Sequence, residues 1–372
     1  MKGKVLQILG GIGFGGAEAF VMNQFRNMKD EYTFDFAVQV HFDQSVSYEK
    51  EIIHLGGRIF YTGLFRDSPV SYAKKVQRII EKNGPYDAIH IHVNEQCGIA
   101  AYGAREACNG TIIVHAHSSQ YGQKNAFIKI LMITLNRVLA NLFSDKIVAC
   151  SYEAARMYFG KKGEKKAVIL KNPINVNRFR IGRSKRRSRE ILGIREEGLL
   201  ILQIGRIIDV KNHLFSIEIC KKLSDKNVDF QMLVVGDGNQ RCNIEKKVEE
   251  LKLDHLVLFL GERKDIPEIL NASDMLLLPS KYEGLPTVVL EAQAAGITCI
   301  VSNNITSDCD LKLGLVSFQP IDGPDSVSIW VDRIEAYKEK SIKEERITEA
   351  FVKSGIDIDA VTETLKKMYS GR

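Results

Sequence analysis

Two glutamates in the second half of the chain are spaced in a way that could hold a sugar-containing anion. Glu283 and Glu291 stand eight residues apart, on either side of a predicted helix start at Gly284-Leu285-Pro286-Thr287. Proline suits the first turn of a helix, and the free amides of that turn, backed by the helix dipole, favour an anion. One carboxylate could then hold hydroxyls of a donor sugar and the other those of a ribose. The alternative is a pair of ordinary surface acids.

Arg206 and Lys211 add positive charge on an earlier loop of the same half. An apolar run that is typical of a strand ends just before Gly205-Arg206, and Lys211 lies five residues after Arg206. Arginine binds phosphate oxygens through its planar fork, and lysine binds them as a point charge. The two side chains could therefore hold one pyrophosphate, although such a pair is also common on solvated surfaces.

A glycine-rich turn follows the first predicted strand. It reads Gly10-Gly11-Ile12-Gly13-Phe14-Gly15-Gly16 and satisfies the GxGxxG spacing. Glycine lets backbone amides approach a phosphate, and the helix that follows offers free N–H groups. The turn predicts a nearby phosphate or, alternatively, a tight turn needed only for packing. A dinucleotide site usually places an acid near the end of the second strand, and Asp43 stands late for that role.

Four histidines occur as two pairs, His90/His92 and His115/His117. Open α/β sheets bind ligands at the carboxyl ends of their strands, so we expect these side chains to form hydrogen bonds there. A metal site would need further ligands and supporting partners. Two Asp-x-Asp patterns, of a kind that can hold a divalent ion, lie late in the chain, at Asp308/Asp310 and Asp357/Asp359. We interpret them as chance matches and expect no essential metal and no cofactor.

The elements that must position these residues alternate between short apolar runs and helix-period segments. Strands are predicted at the residues 5–9, 34–40, 58–61, 88–92, 111–115 and 146–149, and again at 199–204, 230–235, 256–260, 275–278 and 298–301. Helices are predicted between them, among others at 17–28, 72–81, 127–142, 213–223, 239–251 and 287–295. This alternation predicts an α/β protein with two doubly wound parallel-sheet domains. We expect them at residues 1–172 and 173–352, with a terminal helix near 353–372 packing back on the first.

The composition is that of an ordinary globular enzyme, with 372 residues, 45% hydrophobic and 26% charged. Seven scattered cysteines without a CxxC pair fit a reducing cytoplasm, and no segment resembles a signal peptide or a membrane span. The net charge of +6 is local, because residues 161–190 hold twelve lysines and arginines against two glutamates. This basic segment could attract an anionic membrane surface, a lipid phosphate or nucleic acid, or it could be a solvated linker.

The predicted helix at residues 127–142 is apolar around much of its circumference. Lys129 and Arg137 interrupt its apolar surface. Such a helix is either buried in the core or exposed to lipid. Together with the basic segment it makes a polyprenyl-diphosphate-linked sugar a reasonable binding partner, and it makes peripheral attachment to the inner face of the cell membrane a hypothesis.

The motifs in combination resemble those of glycosyltransferase family 4, a family of retaining enzymes with the GT-B fold. Glu283-Gly284-Leu285-Pro286…Glu291 is similar to its EX7E signature, Gly205-Arg206…Lys211 to its phosphate-binding motif, and Gly15-Gly16-Ala17-Glu18 to its first-loop GGxE. The resemblance spans nearly the whole chain. It implies GT-B architecture, that is, two Rossmann-like doubly wound domains facing across a cleft.

The same resemblance implies roles for particular residues. Glu283 would contact the donor sugar, Glu291 the ribose, and Arg206 with Lys211 the diphosphate. Gly15 and Gly16 would lie near the phosphates, and Arg263 near the base. A histidine after the fourth-strand region would reach the active site, with His117 our choice and His115 the reserve.

The resemblance also implies a nucleotide-sugar donor and a glycan or lipid-linked sugar acceptor, in polysaccharide biosynthesis. UDP is the expected nucleotide of the donor, and transfer of a hexose or N-acetylhexosamine with retention is the expected reaction. Three alternatives stay open. An NAD-dependent oxidoreductase would use the first glycine turn, and a nucleic-acid-binding protein would use the basic segment, but neither explains Glu283 and Glu291. A nucleotide-sugar epimerase of the same fold would use the same donor site without an acceptor.

Overall fold

The computed structural model describes residues 2–13, 15–40, 47–65, 68–117 and 126–371. Asp43 lies outside these residues. The chain divides into two compact units, Met1–Pro173 with Gly355–Arg372, and Ile174–Ser354. Each unit is built on a parallel sheet, as two runs of alternating strands and helices predict.

Unit 1 contains, within the described residues, a seven-stranded sheet in the order β3-β2-β1-β4-β5-β6-β7. The strand bounds are β1 Gly3–Leu9, β2 Tyr32–Val38, β3 Ile59–Tyr61, β4 Ala88–Ile91, β5 Thr111–Ala116, β6 Lys146–Ala149 and β7 Val168–Ile169. The ladders between them are parallel. Because helices cover both faces, the strands are apolar runs with little alternation; β4, for example, is buried throughout.

The helices of unit 1 pack on both faces of this sheet. Their bounds are α1 Gly16–Met28, α2 Glu49–His54, α3 Pro69–Asn83, α4 Cys97–Arg105, α5 Ala126–Phe143 and α6 Tyr152–Lys166, and the last helix of the chain, α14 Ile358–Tyr369, joins them. Leu365 and Tyr369 of α14 enter the core formed by α1, β1 and β2. The hydroxyl of Thr362 also donates to Gln24 of α1 at 2.8 Å.

Unit 2 contains, in the part of the chain that is described, a six-stranded sheet in the order β10-β9-β8-β11-β12-β13. Its strands are β8 Leu199–Ile204, β9 Phe230–Val235, β10 Val257–Gly261, β11 Met275–Leu278, β12 Thr298–Ser302 and β13 Val316–Gln319. Its helices are α7 Lys185–Leu192, α8 His213–Asp225, α9 Arg241–Glu250, α10 Ile266–Ala272, α11 Thr287–Ala294, α12 Ser326–Glu335 and α13 Glu344–Lys353.

The order of the strands fixes where a ligand would bind in each unit. In the first sheet the order reverses between β1 and β4, and in the second between β8 and β11. Ligands of open α/β sheets bind outside the carboxyl ends of the strands at such a reversal. The glycine turn follows β1, His90 and His92 lie at the carboxyl end of β4, and the Arg206 loop follows β8. The chemistry-bearing residues therefore lie at both reversals.

Two regions add detail to the sequence-based expectation. The terminal helix packs on unit 1 as α14, and Gly355, with a φ of 67°, separates it from α13, which belongs to unit 2. The basic segment is more than a solvated linker, because it forms the end of α6, β7 and α7. Within it, the buried guanidinium of Arg189 donates to Asp274 at 2.7 Å and to the carbonyl of Ala272 at 2.9 Å.

Other features of the described chain are quickly stated. No helix in the described residues is long and apolar enough to span a membrane. The seven cysteines all lie in the described part and are free thiols. Asp357 is the N-cap of α14 and accepts from the amides of Asp359 and Ala360, so this Asp-x-Asp pattern serves a helix start.

Candidate active site

Lys211 and Glu283 form an ion pair at the strand reversal of unit 2. The Lys211 Nζ lies 2.5 Å from Glu283 Oε1, and both side chains are largely buried. Lys211 belongs to a short 3-10 helix after β8, and Glu283 to the loop after β11, so two adjacent strands deliver the pair. The sequence predicts that both residues bind one ligand, and the structure brings them together.

Neighbouring groups hold this ion pair in place. The hydroxyl of Ser280 donates to Glu283 Oε1 at 2.8 Å, and the side-chain amide of Gln203 donates to the carbonyl of Lys211 at 3.0 Å. The amide of Lys281 donates to the carbonyl of Val210 at 2.9 Å, which ties the two loops together. Ser280 and Gln203 were not among the predicted site residues, because only the fold shows what they contact.

Three glycines crowd the backbone at the mouth of β8 and β9. Gly205 has a φ of 150°, and a Cβ on it would lie 3.3 Å from Lys211 Cε. Gly236 has a φ of 132°, and a Cβ there would strike the carbonyl oxygen of Gly205; one on Gly238 would strike that of Ile207. Only glycine fits these close approaches. The sequence signal was the Gly236-Asp237-Gly238 run after β9, which sequence reasoning left unused.

Arg206 sits beside this crowded backbone with its side chain exposed. Its guanidinium has no hydrogen-bond or ion-pair partner among the described residues and is therefore available to a ligand. Arg263, in contrast, is held by Asp265, with nitrogen–oxygen distances of 2.8 and 2.5 Å. The hydrogen bonds from Arg263 lower the pKa of the Asp265 carboxyl. Arg263 lies after β10, at the same edge of the sheet as Arg206.

Helix α11 begins beside the ion pair. Pro286 is its N-cap and Thr287 its first residue, and no side chain caps the amides of this end. Gly284 and Thr287 are exposed, and a Cβ on Gly284 would meet nothing within 4 Å. Leu285 lies between them, partly buried. The amides of this turn are therefore open to an anion, as the sequence predicts.

Glu291 lies in the second turn of α11, with its carboxyl largely removed from water. Burial raises the pKa of this carboxyl to about 7, and the positive charge of Arg178 opposes that shift. Arg178 comes from the short 3-10 helix Val176–Phe179 at the start of unit 2. A carboxyl with this pKa changes between donor and acceptor of hydrogen bonds near neutral pH.

In unit 1 the glycine turn leads directly into α1. Gly15 is the N-cap and Gly16 the first helical residue. The carboxylate of Glu18 folds back onto the place where a Cβ of Gly15 would be. Burial raises the pKa of Glu18. The predicted phosphate position is thus lined by a carboxyl group in addition to backbone amides.

The four predicted histidines converge at the carboxyl ends of β4 and β5. His90 and His115 are fully buried, and the rings of His115 and His117 stack with 4.0 Å between centroids. His115 lies inside β5 and His117 just beyond its end. Within the described residues, His90, His92 and His115 are the group of side chains close enough together to hold a metal ion. Five of their six ring nitrogens, however, already have hydrogen-bond partners.

Comparison with known proteins follows the same division into two units. The family model described as Glycosyltransferase Family 4 matches residues 14–178, and the one described as Glycosyl transferases group 1 matches residues 184–311. The solved structure of HepE from Anabaena in complex with UDP aligns with a TM-score of 0.74 over 100% of both chains, at 17% identity. With its two parallel-sheet units, the protein is a glycosyltransferase of the GT-B fold.

Two curated relatives make the assignment narrower. The chain is 33% identical to "Putative glycosyltransferase EpsF" of Bacillus subtilis, over 99% of this chain and 96% of that protein. It is 28% identical to the UDP-Gal:alpha-D-GlcNAc-diphosphoundecaprenol alpha-1,3-galactosyltransferase of Escherichia coli, over 62% of this chain and 61% of that one. The chain belongs to the group 1, family 4 type of glycosyltransferases.

Proposed function

We propose that this enzyme transfers a hexose or N-acetylhexosamine, with retention, from a UDP-sugar to a glycan or lipid-linked sugar acceptor in polysaccharide biosynthesis. The observation that carries the proposal is the Lys211–Glu283 pair beside the unpaired Arg206 and the open start of α11. This arrangement offers fixed cations and amides to a diphosphate and a carboxylate to a sugar, next to one another on one sheet edge.

The chemistry of such a reaction needs those groups. When the bond between the anomeric carbon and the phosphate breaks, negative charge builds on the departing diphosphate and the sugar becomes oxocarbenium-like. Preorganised positive groups aimed at the diphosphate lower this barrier. Arg206 and Lys211 fill that role in the proposal, the amides of Gly284, Leu285 and Thr287 assist them, and no metal is required.

The two glutamates take different parts in the proposal. Glu283 accepts two hydrogen bonds at Oε1, which leaves Oε2 to a donor-sugar hydroxyl. We therefore assign Glu283 to positioning the sugar, with no covalent intermediate, and Glu291 to the ribose hydroxyls. Arg263 is assigned to the base, and Gly15 and Gly16 to the neighbourhood of the phosphates. His117 is assigned to the substrate side of unit 1.

The choice of UDP rests on named complexes and relatives. HepE was crystallised with UDP, and the Escherichia coli relative is named for UDP-galactose and a diphosphoundecaprenol-linked acceptor. A donor panel tests the proposal: UDP-, GDP- and ADP-sugars are scored by thermal shift and by slow donor hydrolysis. We expect stabilisation and hydrolysis with a UDP-sugar. No response to any nucleotide sugar would contradict the proposal. Epimerisation of the sugar while it stays attached to the nucleotide would contradict it as well.

An anionic membrane surface is the second part of the proposal, and α5 carries it. Four of its apolar side chains lie along one stripe and are exposed: Met132 (38%), Leu135 (44%), Val138 (56%) and Leu142 (68%). The helix is thus neither wholly buried nor wholly exposed. It packs on α6, whose last turn carries the exposed Lys165 and Lys166. Apolar side chains beside lysines suit the surface of an anionic bilayer.

Flotation with liposomes tests this surface. Wild type should float with vesicles containing anionic lipid at low salt, and Val138→Asp should reduce the bound fraction severalfold. Val352→Asp is the matched control, because Val352 on α13 is 52% exposed and lies in unit 2. If both variants had the same bound fraction, or if the wild type did not float with the vesicles, the membrane assignment would be contradicted. The proposal of sugar transfer would not be affected.

A further inference from the structure

The histidine cluster of unit 1 is organised as two hydrogen-bonded relays. In the first, the hydroxyl of Tyr369 lies 2.9 Å from His90 Nδ1, and His90 Nε2 lies 3.2 Å from His115 Nδ1. In the second, Gln7 Oε1 lies 2.8 Å from His92 Nε2, and His92 Nδ1 lies 2.7 Å from His117 Nε2.

Gln7 connects the two relays. Its side chain projects from the middle of β1 and is almost fully buried. Its oxygen contacts His92, and its amide nitrogen lies 3.4 Å from the hydroxyl of Tyr369. One primary amide therefore stands at the head of both chains of imidazoles.

Each of the four rings is neutral at physiological pH. Burial lowers the pKa of His90, His92 and His115 well below the usual range, and it lowers that of His117 to about 3. The neighbouring rings add to this effect for the first three. A neutral imidazole carries one N–H and one bare nitrogen, so each ring is either an Nε2–H or an Nδ1–H tautomer.

The second relay can be assigned from the amide oxygen outward. Because Gln7 Oε1 only accepts hydrogen bonds, His92 Nε2 must carry its proton, and His92 Nδ1 is then bare. A bare His92 Nδ1 requires a proton on His117 Nε2. His117 Nδ1 is left as a lone pair.

The first relay follows in the same way. The amide nitrogen of Gln7 donates to the Tyr369 oxygen and cannot accept the hydroxyl proton. His90 Nδ1 is the acceptor that the Tyr369 hydroxyl contacts among the described residues, so the hydroxyl donates to it. His90 Nε2 must then carry a proton and donate to His115 Nδ1. His115 Nε2, at the far end, carries an N–H. All four rings are thus the same tautomer.

We propose that Gln7 is a positioning residue that holds His90, His92, His115 and His117 as Nε2–H tautomers. Rotation of its amide by 180° would exchange the donor and the acceptor that contact Tyr369 and His92. All four rings would then become Nδ1–H tautomers. The orientation of one buried amide therefore decides what the outer ends of both relays offer.

Those outer ends are His115 Nε2 and His117 Nδ1. Both atoms are buried, and neither has a partner among the described residues. Phe20 of α1 packs edge-on against both rings, with centroid distances of 4.9 and 5.4 Å. Gln7 makes one outer end a donor and the other an acceptor, the two functions that a hydroxyl group uses.

The consequence for catalysis rests on the proposed function, in which His117 acts on the substrate. With Gln7 in this orientation, His117 meets a substrate hydroxyl as a hydrogen-bond acceptor. Without it, His117 also populates the Nδ1–H form, which cannot accept at that atom. Gln7 would thus affect transfer without touching the substrate.

Nitrogen NMR of histidine-labelled protein tests the tautomers directly, because protonated and bare ring nitrogens have well-separated chemical shifts. The signals are assigned with single His→Asn variants. In the free wild type we expect all four rings as Nε2–H. An Nδ1–H form at any of them, or a metal bound to the cluster in purified protein, would overturn the proposal.

Two matched variants extend the test. Tyr369→Phe should release only His90 and His115 from their single tautomer, whereas Gln7→Met should release all four. If Gln7→Met fails to fold, the wild-type spectrum and Tyr369→Phe still decide the matter. Unchanged tautomers in a folded Gln7→Met variant would overturn it.

Activity provides the second readout. In Gln7→Met, kcat should fall about tenfold or more while the affinity for UDP stays at the wild-type value. Wild-type kcat in a folded variant with released tautomers would overturn the link to catalysis. Absence of UDP binding by the wild-type protein would count against the proposed function instead, and it would leave the tautomer measurement valid.

Discussion

The carboxyl edges of the two sheets carry opposite kinds of chemistry on the same architecture. At the edge of unit 2, charged side chains meet in partial contact with solvent, and Lys211 pairs with Glu283 beside an unpaired Arg206. At the edge of unit 1, four neutral imidazoles lie behind Gln7 and Tyr369, and three of them are buried. The first edge suits a leaving group that gains negative charge, and the second suits a neutral hydroxyl. A repeated fold thus separates the two halves of one proposed reaction.

The largest expected effect concerns the ion pair of unit 2. Lys211→Ala and Glu283→Ala should each lower transfer by about a hundredfold or more, because each removes a group aimed at the donor. Initial rates and the melting temperature are measured together, and folding should be retained. Lys226→Ala and Glu335→Ala are the controls, because Lys226 Nζ and Glu335 Oε2 form an ion pair at the same distance of 2.5 Å. Transfer at the wild-type rate in either Lys211 or Glu283 variant would refute the assignment.

A second variant tests whether unit 1 acts separately from nucleotide binding. His117→Ala should lower kcat by about ten- to a hundredfold while leaving the calorimetric affinity for UDP unchanged. The exposed His54 on α2 gives the control, His54→Ala. If His117→Ala weakened UDP binding as much as transfer, the separation of the two edges would be wrong.

A smaller effect is expected from the unpaired cation. Arg206→Ala should weaken UDP binding about tenfold and reduce its dependence on salt, since one charge-assisted contact is lost. Arg346→Ala, at an exposed arginine of α13, is the comparison. Calorimetry at two ionic strengths distinguishes the variants, and identical behaviour of both would remove Arg206 from the site.

The smallest effect concerns stability and pH at Glu291. The ionised carboxylate is disfavoured only in the folded state, so the free energy of unfolding should fall as pH rises from about 4.5 through about 7. Glu291→Gln should remove this fall and gain about 1–3 kcal/mol over wild type above pH 8. Denaturant unfolding at several pH values, with the exposed Glu349→Gln as control, measures it. A wild-type pH profile in Glu291→Gln would show that the carboxyl is hydrated.

Much of the fold follows from the sequence, because buried parallel strands are continuous apolar runs. The predicted bounds of β8, β9 and β11 agree with the structure to the residue. The bounds of α4 were not among those predicted, and its Gly98 and Gly103 lower its helix propensity. In the structure these glycines allow close helix packing: a Cβ on Gly103 would lie 2.5 Å from the carbonyl oxygen of Ala73.

The charged edge could be predicted better than the neutral one. Four of its residues belong to short motifs that can be recognised by their spacing in the sequence alone: Arg206, Lys211, Glu283 and Glu291. The relays depend on pairs far apart in the chain, and Tyr369 meets His90 across 279 residues. No local pattern marks Gln7 as the residue that links them. Such a partner becomes visible only when the fold brings α14 beside β1 and β4.

The most direct test of the central claim is a crystal structure of the protein with UDP bound. We predict the diphosphate against Arg206, Lys211 and the amides of Gly284, Leu285 and Thr287, with the ribose hydroxyls at Glu291. A diphosphate held by the glycine turn of unit 1 alone, with the Lys211–Glu283 pair left empty of ligand, would contradict the account.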